Sequence, residues 1–199
     1  MAKLILIRHG QSVWNAENRF TGWIDVDLSE KGILEAEEAG QELRNQGINV
    51  VHTSDLIRAQ RTAEIVIRAN DSSNETVTKS DWRLNERNYG ALQGLNKAET
   101  AEKHGPEQVH IWRRSFDVAP PDGESLEMTA ERTIPYFKEE ILPDLEAGMD
   151  VLVSAHGNSL RSIVMHIEKI SSEDIVSFEI PTGVPRYYEF IEGEIKLVD

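Results

Sequence analysis

The sequence predicts an α/β fold of three layers, a mostly parallel six-stranded sheet with helices on both faces. Three observations carry that expectation. Short unbroken apolar runs such as "LILI" occur along the chain, stretches apolar at helical spacing follow them, and polar residues stand where the apolar runs stop. A run that is apolar at every position fits a strand buried on both sides, as in a parallel sheet between helix layers. Open α/β sheets bind ligands at the carboxyl ends of their strands, so the residues that end each run are the first candidates for chemistry.

The first strand, in "LILIRHG", ends at Arg8 and His9. Ser29 then caps a predicted helix in "DLSEKGILEAEEAGQELRNQG", whose Ile33, Ala36, Ala39 and Leu43 recur at helical spacing, with Gly47 as the expected C′ residue. "INVVHTS" predicts a second strand, and "DLIRAQRTAEIVIRA" a second helix, apolar at Leu56, Ala59, Ala63, Val66 and Ile67. From about Asp71 to Gly123 the chain turns polar and is punctuated by Gly90, Gly94, Gly105, Pro120, Pro121 and Gly123. This excursion predicts a short strand near "ETVTKS" and short helices near "NKAETAEKHG" and "PEQVHIWRRSF". A long helical stretch follows from about Ser125 to Gly148, which Pro135 and Pro143 are expected to bend or split. "DVLVSAHGNSLRSIVMHIEKI" repeats the opening design of strand, His-Gly and helix, and "RYYEFIEGEIKLVD" reads as a terminal hairpin about "EGE". With no Gly/Ser linker, low-complexity tract or repeat, residues 1–199 are expected to form one domain, with the excursion at about 71–123 lying over the site.

The net charge of -14, from 35 acidic against 21 basic residues, repels nucleic acid and anionic membranes, and neither is an expected partner. Screening limits that repulsion to about 8 Å at physiological salt, so clustered arginines in a cleft still attract a small anion. The absence of cysteine excludes disulfides, thiolate zinc sites and a cysteine nucleophile. The opening residues are too few and too polar for a signal peptide, and no stretch approaches a membrane span, so a soluble cytoplasmic protein is expected.

"LILIRHG" and "VLVSAHG" share one pattern, an apolar run followed by His-Gly. If both strands are central and parallel, His9 and His156 leave the same edge of the sheet and meet. Either histidine alone would more simply bond a loop carbonyl; the repetition favours a shared site. Each His-Gly precedes a predicted helix, whose first N–H groups and dipole favour an anion, and glycine lets backbone approach closely. Arg8 and Arg58 add two guanidiniums, suited to a phosphoryl dianion, although an isolated Arg58 would more simply pair with Asp55 or Glu64. Phosphoryl transfer needs a nucleophile, neutralised equatorial oxygens and an acid or base. A neutral imidazole can be the nucleophile. No HExxH spacing, calcium loop or P-loop is present, which points to metal-free chemistry with arginines in place of magnesium. Glu86 in "RLNERNYGALQG", flanked by Arg83 and Arg87, is the candidate acid/base.

"LIRHGQSVWNAENRFTGWIDVDLSEKG", "RLNERNYGALQGLNKAETAEKHG", "WRRSF", "AHGNSLRSIV" and "IPTGVPRYYEF" closely resemble the 2,3-bisphosphoglycerate-dependent phosphoglycerate mutases, within the histidine phosphatase superfamily. The resemblance covers nearly the whole chain; "RHG" is superfamily-wide, whereas "NRFTGW", "ERNYGALQGLNKAETAEKHG" and "IPTGVP" point to the mutase branch. It implies His9 as the phosphorylated nucleophile, a phosphate clamp of Arg8, Arg58 and His156, and Glu86 as proton donor and acceptor. Asn15, Thr21, Gly22, Gly157 and Asn158 would line the phosphate site, and Arg87, Tyr89, Lys97, Arg113 and Arg114 would hold the remaining phosphate and the glycerate carboxylate. The implied reaction interconverts 2- and 3-phosphoglycerate in glycolysis and gluconeogenesis, primed by 2,3-bisphosphoglycerate without metal, in a monomer or homodimer. Two departures stand out. Many family members carry a longer insertion where this chain has "VAPPDGES", and a C-terminal tail beyond Asp199, so a more open pocket with some hydrolytic leakage is expected. A broad phosphomonoesterase is therefore the alternative, and a non-catalytic phospholigand-binding module a more distant one.

Overall fold

Alternation along the first strand shows why the sheet needs cover on both faces. In the computed structural model, which describes residues 1–71 and 76–198, β1 (Ala2–Arg8) sends Leu4 and Leu6 into one buried cluster and Ile5 and Ile7 into another. Each such side chain gains about 1.5–3 kcal/mol on burial. The chain continues through a single helical turn, α1 (Val13–Ala16), to α2 (Glu30–Glu42), β2 (Val50–Thr53) and α3 (Ile57–Ala69). The polar excursion supplies β3 (Val77–Ser80), 3-10 turns at Trp82–Leu84 and Gly90–Leu92, α4 (Lys97–His104) and α5 (Pro106–Arg114). Then follow α6 (Leu126–Tyr136), a π-helical segment Phe137–Ile141, α7 (Leu142–Glu146), β4 (Val151–Ala155), α8 (Gly157–Glu168) and α9 (Ser172–Ile175). The hairpin of β5 (Pro185–Ile191) and β6 (Glu194–Leu197) completes the order.

The sheet runs β3-β2-β4-β1-β5-β6; the first four strands are mutually parallel, and β5 and β6 are antiparallel to their neighbours. Ala39 of α2 and Leu43 at its C-cap pack with Ala63 and Val66 of α3 on the Ile5 and Ile7 face, while Leu160, Ile163 and Val164 of α8 cover the Leu4 and Leu6 face. The predicted fold class is therefore observed. β1 and β4 are neighbours, yet the connection from β1 leads to β2 on one side and that from β4 leads to β5 on the other. Their carboxyl ends thus bound a crevice at a topological switch point.

Local chemistry accounts for the element boundaries. Ser29 accepts from Gly32 N at 3.1 Å and Ser125 from Met128 N at 3.1 Å, starting α2 and α6 where expected. Pro135 lies inside α6 and Pro143 in the first turn of α7, with the π segment between them, so the long stretch is split as anticipated. Glu192 and Gly193 both take positive φ (52° and 83°), as a two-residue hairpin turn requires. The expectation for Gly47 fails: α2 ends at Glu42, and the Asn70 side chain, donating to Leu43 O (2.7 Å) at the C-cap and to Gln46 O (2.8 Å), holds the turn that follows. Of the strand predicted near "ETVTKS", Glu75 lies outside the described residues. The single-turn helix α9 has no counterpart in the sequence reading, because four residues are too few to show periodicity.

Gly10 has a different role from the one its place after His9 suggests. A Cβ there would fall 2.1 Å from Gly32 O, and a Cβ on Gly32 would fall 2.0 Å from Gln11 O. The two glycines therefore let α2 press against the turn leaving β1. On helix propensity alone Gly32→Ala would stabilise by up to about 1 kcal/mol. Here the variant is expected instead to lose about 1–3 kcal/mol through overpacking, read as a lower midpoint in urea unfolding.

Candidate active site

Register places the two histidines together. Arg8 pairs with Ala155 across β1 and β4, and His9 N donates to Ala155 O at 3.0 Å, so His9 and His156 leave the sheet side by side. Their ring centroids are 4.9 Å apart and both are buried. His9 Nδ1 lies 2.7 Å from Gly10 O; a carbonyl only accepts, so Nδ1 carries the proton and Nε2 keeps its lone pair. His156 Nε2 lies 2.7 Å from Ser54 Oγ, which also accepts from Leu56 N at 3.1 Å. His156 Nδ1 and Arg8 Nε are buried with no partner among the described residues.

Both guanidiniums are held by carbonyls. Arg58, in the first turn of α3, donates to Gly22 O (2.7 Å) and Ile24 O (3.1 Å), so the simpler pairing with Asp55 or Glu64 is not what the fold uses. Gly22 has φ +56°, and a Cβ there would meet Gln93 Oε1 at 2.2 Å, so glycine is required. Arg8 Nη1 donates to Ile180 O at 2.9 Å. Burial pushes the Arg58 guanidinium down to about 10 even though Glu86 and Asp25 act in the opposite direction. Burial first, then the positive charges of Arg58 and Arg8, holds His9 well below the ordinary histidine range, and His156 is lowered by burial and Arg58 in the same way.

Glu86 docks on the start of α8. Its Oε1 accepts from Arg87 N (2.8 Å) and from Asn158 N (3.1 Å), leaving Oε2 to exchange a proton. Burial pushes this carboxyl up, but the Arg87 N–H bond, the charges of Arg8 and Arg58 and the Asn158 bond more than offset that, and its pKa lies below the usual value. The expected flanking by Arg83 and Arg87 is corrected: Arg83 turns away to Asp81 and Glu139, and the Arg87 guanidinium goes to Tyr89 OH and Arg113 O. What holds the segment is Arg132 of α6, which donates to the carbonyls of Arg83 (2.9 Å), Asn85 (3.0 Å) and Glu86 (2.9 Å) and pairs with Glu124.

The cleft over these groups, of ≈ 190 Å³, is lined by Arg8, His9, Arg58 and Glu86 together with the expected Asn15, Thr21, Gly22, Tyr89, Lys97, Arg113, Arg114, Gly157 and Asn158. Arg87 and His156 stand behind its wall, both buried, rather than on it. Asn15 also caps α1, where its Oδ1 accepts from Ser12 N. The anion-favouring helix start is realised only after His156, because α1 begins four residues beyond His9 and is a single turn. Arg19, Phe20, Arg161 and Glu179 line the cleft and were missed. Arg161 follows Asn158 by three residues on α8, a spacing that puts both on one face, so that one had a legible signal. Glu179 had none, being in an irregular segment. Among the described residues, no group of three or more His, Cys, Asp or Glu is placed to hold a metal ion, and no helix is long and apolar enough to cross a membrane.

The family model of the histidine phosphatase superfamily (branch 1) matches residues 4–199. The chain belongs to that superfamily. It is 49% identical to a 2,3-bisphosphoglycerate-dependent phosphoglycerate mutase of Protochlamydia amoebophila, over 98% of this chain and 97% of that one. It is also 49% identical to 2,3-bisphosphoglycerate-dependent phosphoglycerate mutase 1 of Arabidopsis thaliana, over 97% of this chain but 66% of the longer plant protein. Among solved structures, a mycobacterial glucosyl-3-phosphoglycerate phosphatase complexed with VO3 superposes with a TM-score of 0.85 at 25% identity, covering 99% of this chain and 97% of that one. The superfamily fold thus agrees with the six-stranded architecture built above.

The two lowered imidazoles make stability depend on pH. On unfolding they return to water and titrate near 6.5. Below that value the unfolded chain binds protons that the folded chain excludes, so stability falls as the pH drops, by up to about 1.4 kcal/mol per pH unit for each histidine. Urea unfolding of the unphosphorylated protein between pH 8 and 5 is expected to show full stability above about 6.5 and a steady loss below it; replacing His9 with Gln should flatten the slope.

Proposed function

We propose that the chain is a 2,3-bisphosphoglycerate-dependent phosphoglycerate mutase, interconverting 2- and 3-phosphoglycerate through a phosphohistidine at His9. The observation that carries this reading is the meeting of two neutral imidazoles with two carboxylate-free guanidiniums, Arg58 buried and Arg8 half-buried, at one strand edge, in a chain about half identical to curated mutases. The orphaned Arg8 Nε, His156 Nδ1 and Thr21 Oγ1 are buried polar atoms that a phosphoryl group's oxygens would satisfy.

In this reading His9 Nε2 is the nucleophile, fixed by its Nδ1 bond to Gly10 O. Arg8 and Arg58 neutralise the equatorial oxygens. With Ser54 donating to His156 Nε2, the proton stays on Nδ1, which has no partner among the described residues and is left to donate to a phosphoryl oxygen. When the N–P bond breaks and the substrate hydroxyl takes the phosphoryl group, the hydroxyl proton passes to Glu86 Oε2. The depressed pKa of Glu86 keeps it ionised and ready to accept that proton. A phosphoryl dianion between Arg8 and Arg58 offsets the charges that depress it, so the proton can be returned in the second half-reaction. Lys97, Arg113 and Arg114 bind the anionic group at the far end of the substrate. 2,3-bisphosphoglycerate supplies the phosphoryl group that loads the enzyme. Arginines take the place of magnesium, and the pathway is glycolysis and gluconeogenesis, in the cytoplasm. Residues 1–199 act as one domain, the excursion contributing the far wall of the cleft.

A second reading, phosphomonoesterase activity, draws on the short "VAPPDGES" loop. Ala91 N donates to Pro121 O (2.9 Å) and Glu124 N to Asn88 O (2.7 Å), so the loop folds back on the Glu86 segment, and no residue between Arg114 and Gly157 lines the cleft. The match to the Protochlamydia mutase runs over 220 positions, more than this chain's 199 residues, so that relative carries segments this chain lacks. Less cover admits water to a phosphohistidine.

The deciding assay follows isomerisation of 3-phosphoglycerate in EDTA, with and without 2,3-bisphosphoglycerate, while free phosphate is read in parallel. Isomerisation stimulated by the bisphosphate and faster than phosphate release is expected; a requirement for magnesium or manganese, or release of phosphate alone, would overturn the mutase reading. His9→Ala should lose turnover by orders of magnitude while keeping its circular dichroism.

A further inference from the structure

One acidic side chain stands in a wall otherwise built of cations. Glu179 lines the cleft, with Oε1 2.6 Å from Arg114 Nη2 and Oε2 3.4 Å from Arg161 Nη2. Its backbone is pinned on both sides by arginines of the site: Arg161 Nε donates to Phe178 O at 2.6 Å and Arg8 Nη1 to Ile180 O at 2.9 Å. Ile180 is buried, whereas the Glu179 side chain remains 60% exposed. The main chain is thus fixed while the carboxylate is free to swing between the arginines and water. Arg161 reaches inward as well, donating to Asn158 Oδ1 at 3.1 Å, and the Asn158 backbone N–H holds Glu86.

We propose that Glu179 is a built-in competitor for the distal anionic group of the substrate, occupying Arg114 and Arg161 until a carboxylate or second phosphate displaces it. The inference rests on the catalytic reading above and deepens it. Glu179 occupies Nη2 of Arg114 and of Arg161, and an anionic group of a ligand that uses those same donors makes the same charge-assisted contact, so it must displace the carboxylate to bind there. A ligand with a second anionic group must break the Glu179 pairs before it gains its own; a ligand with a single phosphate does not reach them. Glu179 therefore weakens retention of doubly anionic ligands selectively. A purely structural role, tying the end of α5 to residues 178–180, would instead make its loss harmful to all ligands alike.

Glu179→Gln keeps size and hydrogen-bonding capacity and removes the charge; the exposed side chain is outside the core, and circular dichroism checks that the fold is kept. Binding of 2,3-bisphosphoglycerate and of inorganic phosphate to the unphosphorylated protein is measured by titration calorimetry. The ratio of the bisphosphate to the phosphate dissociation constant is expected to fall about two- to fivefold in the variant, the worth of a partly exposed ion pair. A ratio that is unchanged or higher overturns the proposal. Failure of the unaltered protein to isomerise phosphoglycerates would sink the mutase reading separately, because the comparison reads binding alone.

Discussion

The site depends on two guanidiniums, Arg58 buried and Arg8 half-buried, without a carboxylate dedicated to either. Arg58 and Arg8 spend their recorded hydrogen bonds on carbonyls of Gly22, Ile24 and Ile180, which satisfy donors but cancel no charge. Burying charge in this way is costly unless something opposite in sign arrives. Glu86 answers part of it, and the rest is a standing attraction for a compact dianion. Burial first, and then the same positive charge, keep His9 and His156 neutral, so the anion-attracting charge and the neutral imidazoles come from one arrangement. A chain carrying a net charge of -14 can thus present a cationic interior to its ligand.

Strand register makes that arrangement possible. Parallel pairing of β1 with β4 brings together residues 147 positions apart in the chain, and the switch in connection direction keeps both faces from closing over the strand ends. The remaining groups come from elements that meet only in three dimensions: α3 supplies Arg58, the 3-10 region supplies Glu86, α5 supplies Arg113 and Arg114, and α6 reaches across with Arg132 to hold the Glu86 carbonyl.

How much of this was readable follows from range. Strands and long helices were legible, because periodicity and caps such as Ser29 and Ser125 are local. So were His9 and His156, whose repeated context is a sequence signal. The end of α2 was not, since Asn70 holds the turn that follows it from another helix. Neither were the partners of Arg83, Arg87 and Arg132, because a long side chain's choice among acceptors is settled by packing. Ser54 went unnoticed for a related reason: its value lies in touching His156, and nothing beside it in the chain says so. Gly10 is the instructive case. Its position after His9 suggests room for a ligand, whereas the space it saves belongs to α2.

That close approach of backbone to backbone has a mechanical consequence. The turn bearing His9 is wedged against a helix with no side chain between them to act as a cushion, so it has nowhere to retreat. The opposite rim is held by its backbone too: Ala91 N donates to Pro121 O, Glu124 N to Asn88 O, Gly90 and Gly123 press against the facing chain, and the Arg132 fan holds the carbonyls. What yields around a ligand is therefore the exposed Glu179 carboxylate, a soft pad set between two rigid jaws.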